Sequence, residues 1–199
     1  MTLLNYIPQF NLLFPELNQS MPWSITTRAH EIILQKIKTL DVDYTIVNNI
    51  AIHKTAIVEE HVIMKGPIII SANCFVGAHA YLRGGVYMAD HVSIGPGCEV
   101  KSSFILSDTA LAHFNFVGDS ILGSHVNMEA GSVIANHFNE RDDKTIFVMI
   151  DGKRSAIDVT KFGAVVGDHS RIGANAVLSP GTVLPPKSIV KRLELVEQC

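Results

Sequence analysis

A six-residue periodicity of apolar side chains restricts the fold of this chain more than any other feature of its sequence. From Ile52, every sixth residue is apolar for eleven positions: Ile52, Val58, Met64, Ile70, Val76, Leu82, Met88, Ile94, Val100, Leu106 and Ala112. A second series, four positions later, is also apolar: Ala56, Val62, Ile68, Cys74, Ala80, Val86, Val92, Cys98, Phe104, Ala110 and Phe116. A period of six fits neither an α-helix nor a flat strand, whose side chains repeat every 3.6 and every two residues. It predicts a solenoid of short strands, in which each hexad supplies two inward side chains and a turn.

The repeat changes in the segment LAHFNFVGD, at residues 111–119. Between Ala112 and Val117 the step is five residues instead of six, and His113 lies within it. After a further polar segment the series returns at these positions: Val166, Ile172, Leu178, Leu184 and Val190. We interpret the short step as a deformed coil, and we expect it to form a ligand-sized recess beside His113.

Composition and charge exclude several classes of function. Hydrophobic residues make up 47% and charged residues 18% of the 199 residues, which argues against a disordered chain. The net charge of −3 gives no electrostatic reason to expect nucleic acid or an anionic membrane as a partner. No apolar run reaches the ~18 residues of a membrane span, and the N-terminus lacks the layout of a signal peptide. Cys74 and Cys98 fall at apolar repeat positions, so we expect buried thiols and a cytoplasmic protein.

Over residues 45–190, hexads such as IGPGCE, IGANAV and LSPGTV resemble those of the hexapeptide-repeat acyltransferase superfamily. The resemblance implies an all-β solenoid, a left-handed parallel β-helix with three hexads per coil. We expect residues 1–44 to form an N-terminal segment with a capping helix, and residues 191–199 to form a C-terminal tail. A loop insertion is expected at about 136–163.

The segment PWSITTRAHEIILQKIKTL predicts that capping helix, because its apolar residues follow helical spacing. Ser24 is its possible N-cap. We expect the helix to seal the open end of the solenoid. Several residues of the first 20 should pack on it: Tyr6, Phe10, Leu13 and Phe14.

Three cations should stack on one outer face. Lys65, Arg83 and Lys101 are 18 residues apart, so with three hexads per coil they lie in adjacent strands about 4.8 Å from one another. Like charges this close repel unless an anion neutralises them. Two sources are open: a phosphate-bearing ligand, which suits the fork of Arg83, or carboxylates such as Glu99.

Most histidines fit exposed turns of the hexads: His61, His79, His91, His125, His137 and His169. His113 differs, because it follows an inward position directly and precedes the short step. Counting coils places Asn127 on the same face as His113, one coil further on.

The local motifs narrow the resemblance. The segments AYLRGGVYMADHVSIGPGCEVKSSFI and LAHFNFVGDSILGSHVNMEAGSVIANHFN are similar to the acetyltransferase domain of bifunctional sugar-1-phosphate enzymes, archaeal forms in particular. The resemblance implies that His113 is the general base. It also implies that Arg83 and Lys101 hold a sugar phosphate. Two asparagines, Asn127 and Asn136, would hold the sugar and the acetyl group.

The same resemblance places the backbone of Ala130 and Gly131 against acetyl-CoA. This chain departs from the motif at three positions. Phe116 replaces a tyrosine that contacts the substrate phosphate, and His137 stands where the family has an aromatic residue or leucine. The family also has a lysine six residues after the second asparagine, and this chain has Asp142 at that position. Arg141 or Lys144, which lie close by in the sequence, could take the place of that lysine.

The resemblance implies acetyl transfer from acetyl-CoA to the amine of an amino-sugar phosphate such as glucosamine 1-phosphate. The resemblance implies a homotrimer, and the chemistry needs no metal. No Gly-rich G-x-G-T-R loop occurs, so we expect the activity without a nucleotidyltransferase domain.

Two other classes of function are alternatives to acetyl transfer. A non-catalytic or regulatory module that binds a sugar nucleotide is favoured by Phe116. A γ-type carbonic anhydrase would need a pair of histidines five residues apart, which the sequence lacks.

Overall fold

The computed structural model describes residues 3–150 and 152–198, and it is a parallel β-helix with three flat faces. Face I is a seven-stranded sheet of β3 (Ile57–Val58), β6 (Phe75–Val76), β8 (Ser93–Ile94), β10 (Ala110–Leu111), β13 (Asn127–Met128), β18 (Arg171–Ile172) and β21 (Ile189–Val190). Face II contains β4 (Ile63–Lys65), the first halves of β7 (Tyr81–Met88) and β9 (Glu99–Ile105), β11 (Phe116–Gly118), β14 (Val133–Ile134), β19 (Val177–Leu178) and β22 (Leu195–Val196). Face III contains β2 (Ile50–His53), β5 (Ile68–Ile70), the second halves of β7 and β9, β12 (Ile121–Leu122), β17 (Ala164–Val166) and β20 (Thr182–Leu184). The predicted fold class is confirmed.

Two segments of the chain form antiparallel pairs in addition to the parallel coils. Strand β1 (Tyr44–Val47) pairs antiparallel with β2 at the N-terminal edge of face III. Between β14 and β17 the chain leaves the solenoid and forms an antiparallel pair, β15 (Phe147–Ile150) and β16 (Lys153–Ala156). The last coil strand is β22, so the coils extend beyond residue 190, the boundary expected from the sequence.

The inward register differs from the predicted one between Val100 and Val117. The side chains inside the coil follow the series Ile94, Val100, Ile105, Leu111, Val117, Leu122 and Met128. Strand pairing agrees, because Leu111 pairs with Ile94 below and Met128 above. The five-residue steps therefore run from Val100 to Ile105 and from Val117 to Leu122. The prediction of a short step around His113 is wrong.

The predicted inward residues, Leu106 and Ala112, and the observed ones, Ile105 and Leu111, are all apolar. The hydrophobic pattern of the sequence therefore did not distinguish the two registers. Phe104 and Leu106 face outward and are buried under other parts of the chain, whereas Ala112 lies at a corner. Asn115, rather than Phe116, points inward, and it is 2% exposed. Its amide donates hydrogen bonds to Ser132 Oγ at 2.9 Å and to the Glu129 carbonyl at 2.8 Å.

The N-terminal helices lie along face III rather than over the open end of the solenoid. They are α1 (Pro8–Leu13), α2 (Pro22–Thr27) and α3 (Ala29–Ile37), with single 3₁₀ turns at Leu3–Asn5 and Pro15–Leu17. Their apolar residues form one cluster with the outward side chains of face III: Ile69, Tyr87, Phe104, Ile121, Val165 and Val183. A single predicted helix is interrupted at Arg28. The N-cap of α2 is Met21 rather than Ser24, and Pro22 occupies its first turn, where a missing N–H costs nothing.

The corners use residues that tolerate a left-handed backbone. His61, His79, His91, His125 and His169 all have φ between 56° and 66°, and all are exposed. The prediction that these histidines are exposed turn residues is confirmed. Among residues 3–150 and 152–198, no helix has the length and apolar character required to cross a bilayer.

Candidate functional site

A cleft of about 970 Å³ opens at the corner between faces II and III. We call it the corner cleft. It lies between the end of α2, the solenoid corner and the insertion that carries β15 and β16. Its lining residues are Thr26, Thr27, Lys101, Ser102, Asp119, His137, Asp143, Lys144, Thr145, Ile157, Asp158, Val159, Thr160 and Lys161.

The two short steps form the floor of this cleft. Each contains a residue in the left-handed region, Ser102 with φ of 49° and Asp119 with φ of 47°. In the preceding coil the same corner contains two glycines, Gly84 and Gly85. There the step between the inward residues Leu82 and Met88 has the full six residues. The expected recess beside a deformed coil therefore exists, but it adjoins Asp119 and not His113.

A chain of hydrogen bonds runs from the floor of the cleft to its surface. Lys101 Nζ lies 2.6 Å from Asp119 Oδ2, and the same oxygen accepts a hydrogen bond from Asn136 Nδ2 at 2.5 Å. Asn136 Oδ1 is 3.1 Å from His137 Nδ1. Asp119 and Asn136 are 5% and 6% exposed, whereas His137 is open to solvent.

The predicted cation ladder is present, and two of its three cations, Arg83 and Lys101, have carboxylate partners. Lys65 pairs in register with Arg83, and Arg83 with Lys101. Arg83 Nη2 lies 2.7 Å from Glu99 Oε1, and Lys101 has Asp119 as its partner. Carboxylates, one of the two sources of negative charge considered from the sequence, thus lie beside Arg83 and Lys101.

His113, Ala130 and Gly131 form a second group at the corner between faces I and II. His113 is exposed there, and its carbonyl accepts a hydrogen bond from Gly131 N at 2.9 Å. Ala130 lies beside Gly131 in the coil above. In the part of the chain that the structure describes, the His113 imidazole makes no hydrogen bond.

Asn127 projects from face I and not from the corner that carries His113. It borders a groove of about 630 Å³ with Arg171 and the Glu129–Arg192 ion pair. The hydrogen bonds from Arg192 lower the pKa of Glu129 to about 2.

Face II separates the two groups, and Phe116 lies on it at the start of β11. The two candidate substitutes for the family lysine also diverge. Lys144 borders the corner cleft, whereas Arg141 pairs with Glu197 at 2.7 Å and stacks on Phe138. A single chain thus brings together Lys101, Asn136 and Lys144, with Arg83 one strand below.

Asp119 and His137 are cleft residues that the sequence analysis did not assign to the site. Asp119 lies outside the segment whose register was predicted wrongly, and its position in the five-residue step from Val117 to Leu122 was a usable signal. His137 was grouped with the turn histidines, but its backbone is not left-handed and it begins the insertion. Within the described residues, no three His, Cys, Asp or Glu side chains are arranged to hold a metal ion.

Comparison with known protein families agrees with this architecture. The family described as "GMPPB C-terminal domain" matches residues 64–198. The chain belongs to this family. The "Bifunctional protein GlmU" of Methanococcus vannielii is 31% identical over 89% of this chain and 43% of its own length. The protein of the same name from Methanocaldococcus jannaschii is 35% identical over 80% of this chain and 40% of its own length.

The "Bifunctional sugar-1-phosphate nucleotidylyltransferase/acetyltransferase" of Sulfurisphaera tokodaii is 32% identical over 62% of this chain and 35% of its own length. The chain therefore spans about two fifths of the length of these relatives. A solved hexapeptide transferase family protein from Anaplasma phagocytophilum is 19% identical, with a TM-score of 0.42 over 72% of this chain and 70% of its own. The family resemblance drawn from the sequence is confirmed.

Proposed function

We propose that this chain is an acyltransferase that moves the acetyl group of acetyl-CoA to the amine of an amino-sugar phosphate, such as glucosamine 1-phosphate. The observation that carries the proposal is the corner cleft, in which Lys101 and Lys144 lie near the buried amide of Asn136. Ammonium groups suit a phosphate, and an amide suits a sugar hydroxyl or an acetyl oxygen. The name of the Sulfurisphaera tokodaii relative, which includes acetyltransferase, supports the same reaction class.

In this proposal the neutral imidazole of His113 accepts a proton from the attacking amine. Asn136 or a backbone N–H stabilises the oxyanion of the tetrahedral intermediate. The backbone of Ala130 and Gly131 contacts acetyl-CoA, and Asn127 contacts the sugar. The transfer requires no metal ion.

A homotrimer is part of the proposal because one chain keeps His113 and the corner cleft on different corners. The width of face II lies between them. If neighbouring protomers meet along this face, His113 of one protomer approaches the cleft of the next.

Release of free thiol from acetyl-CoA in the presence of glucosamine 1-phosphate tests the reaction. The His113→Ala variant should lose transfer while it keeps its fold and oligomeric state. His91→Ala, an exposed corner histidine outside both groups, is the matched control and should keep full turnover. Undiminished turnover in the His113→Ala variant would refute the base assignment.

A second candidate is a non-catalytic module that binds a sugar nucleotide. Three observations favour it: Phe116 has no hydroxyl, and Arg83 and Lys101 already have carboxylate partners. A module of this kind would bind sugar nucleotides in calorimetry and release no thiol from acetyl-CoA with any amino-sugar phosphate.

A further inference from the structure

The corner cleft contains an imidazole whose tautomer is set by its neighbours. Asp119 is the carboxylate partner of Lys101, and a carboxylate only accepts hydrogen bonds. The group of Asn136 that faces Asp119 must therefore be its NH₂. The Oδ1 of Asn136 then faces His137, 3.1 Å from Nδ1.

An amide oxygen also only accepts, so Nδ1 of His137 must carry the proton. In the neutral ring this leaves the lone pair on Nε2. Because His137 borders the cleft, that nitrogen is available to a ligand held there. Asp119 and Asn136 are buried, Lys101 is partly buried, and together they specify one tautomer, which is the arrangement that orients a base.

We propose that His137 is a proton acceptor for the ligand of the corner cleft, and that Asp119 and Asn136 are its positioning residues. The inference rests on the proposed function for its substrate, an amino sugar that enters the site as an ammonium. One proton passes from the ammonium nitrogen to Nε2 of His137, which leaves a neutral amine and an imidazolium. The exposed imidazolium returns the proton to water.

This step is separate from the role of His113. Conversion of an ammonium and a thioester into an amide and a thiol releases two protons from nitrogen. One is needed by the departing thiolate, and the other leaves the site. His137 removes the first proton, before attack, and His113 takes the second during attack and supplies the thiolate.

The charges around His137 come from three parts of the chain. Lys101 and Asp119 belong to the solenoid corner, whereas Asp143 and Lys144 precede β15. The segment that follows β16 contributes Asp158 and Lys161. Asp143 is engaged by the N–H and hydroxyl of Thr145 at 2.9 and 2.6 Å.

The first test requires no activity. Long-range ¹H–¹⁵N spectra of the full chain, with the His137 signals assigned by their loss in His137→Gln, report which ring nitrogen carries the proton. We expect the Nδ1–H form in the wild type and a mixture of tautomers in Asn136→Ala. A wild-type ring protonated at Nε2 in its neutral form would overturn the inference, whether or not the chain transfers acetyl groups.

The second test uses the thiol-release assay. His137→Gln should lower kcat by about 10²-fold near neutral pH, with a smaller change in KM. The deficit should shrink as the pH rises, because hydroxide then deprotonates the ammonium without a protein base. His30→Gln, an exposed histidine on α3, should have no effect. If His113→Ala abolishes transfer and His137→Gln leaves kcat and its pH profile unchanged, the proposed function stands and this inference fails.

Discussion

Glu129 forms an ion pair with Arg192. Its two carboxylate oxygens accept hydrogen bonds from Arg192 at 2.8 and 2.9 Å, and one also accepts from the N–H of Ala174 at 2.9 Å. These contacts lower the pKa of Glu129 from 4.5 to about 2. A lowered pKa in the folded state means that the carboxylate form stabilises the fold. This contribution is complete above pH 4.5 and is lost as the pH falls toward 2.

We therefore expect Glu129→Gln to melt at a lower temperature than the wild type at pH 6, and the difference to vanish as the pH falls from 4.5 toward 2. The effect should be small and should weaken with salt, because both partners are exposed. Thermal unfolding at low ionic strength, followed by circular dichroism, measures it. Glu31→Gln on α3 serves as the control. A difference that stays constant through this pH range would contradict the assignment.

At the scale of strands and helices, the six-residue pattern predicted the solenoid but not the position of its short steps. A shift of one residue exchanges Ile105 for Leu106 and Leu111 for Ala112, and all four are apolar. Hydrophobicity alone therefore cannot choose between the two registers. The choice depends on packing: Leu106 is covered by the N-terminal segment, so its outward position costs no exposed apolar surface.

The same limit applies to the candidate site. The stacking of Arg83 on Lys101 followed from an offset of 18 residues, and the strand register bears it out. The link from Lys101 through Asp119 to His137 depends on a corner conformation and on an insertion that does not repeat. Neither has a periodic signal in the sequence.

The packing of the N-terminal segment on face III gives a prediction about stability. Phe14 is fully buried, and its ring centroid lies 5.0 Å from those of Phe10 and Tyr87 and 5.4 Å from that of Phe104. Phe14→Ala should reduce the free energy of unfolding by about 3–5 kcal/mol, because it removes these contacts and leaves a cavity. Urea denaturation measures the loss. Leu12→Ala, in α1 just before Phe14 but 81% exposed, should change stability little. Equal effects of the two variants would show that the segment is not packed as described.

At the scale of the whole molecule, the three faces differ in what covers them. The N-terminal helices and the insertion pack on face III. Face II carries a row of mostly apolar side chains on its outer surface, in which Glu99, the ion-pair partner of Arg83, lies between Tyr81 and Phe116. The apolar members are Ile63, Tyr81, Phe116, Val133, Val177 and Leu195. Ile63 and Leu195 are 57% and 59% exposed. A face with this largely apolar row, between the two groups of site residues, is suited to contact with a second copy of the chain.

The proposed homotrimer therefore makes a prediction about face II. Val133 lies near the middle of this face, in β14, with its side chain directed away from the core, so Val133→Asp would place a charge in the contact between protomers. We expect the wild type to sediment as a trimer and the variant as a monomer with an unchanged circular dichroism spectrum. Val42→Asp, at a position 98% exposed and outside the three faces, should remain trimeric. Since transfer is proposed to need His113 from a neighbouring protomer, the monomeric variant should also lose thiol release. A wild type that is monomeric at every concentration, or a trimeric Val133→Asp, would refute assembly through this face.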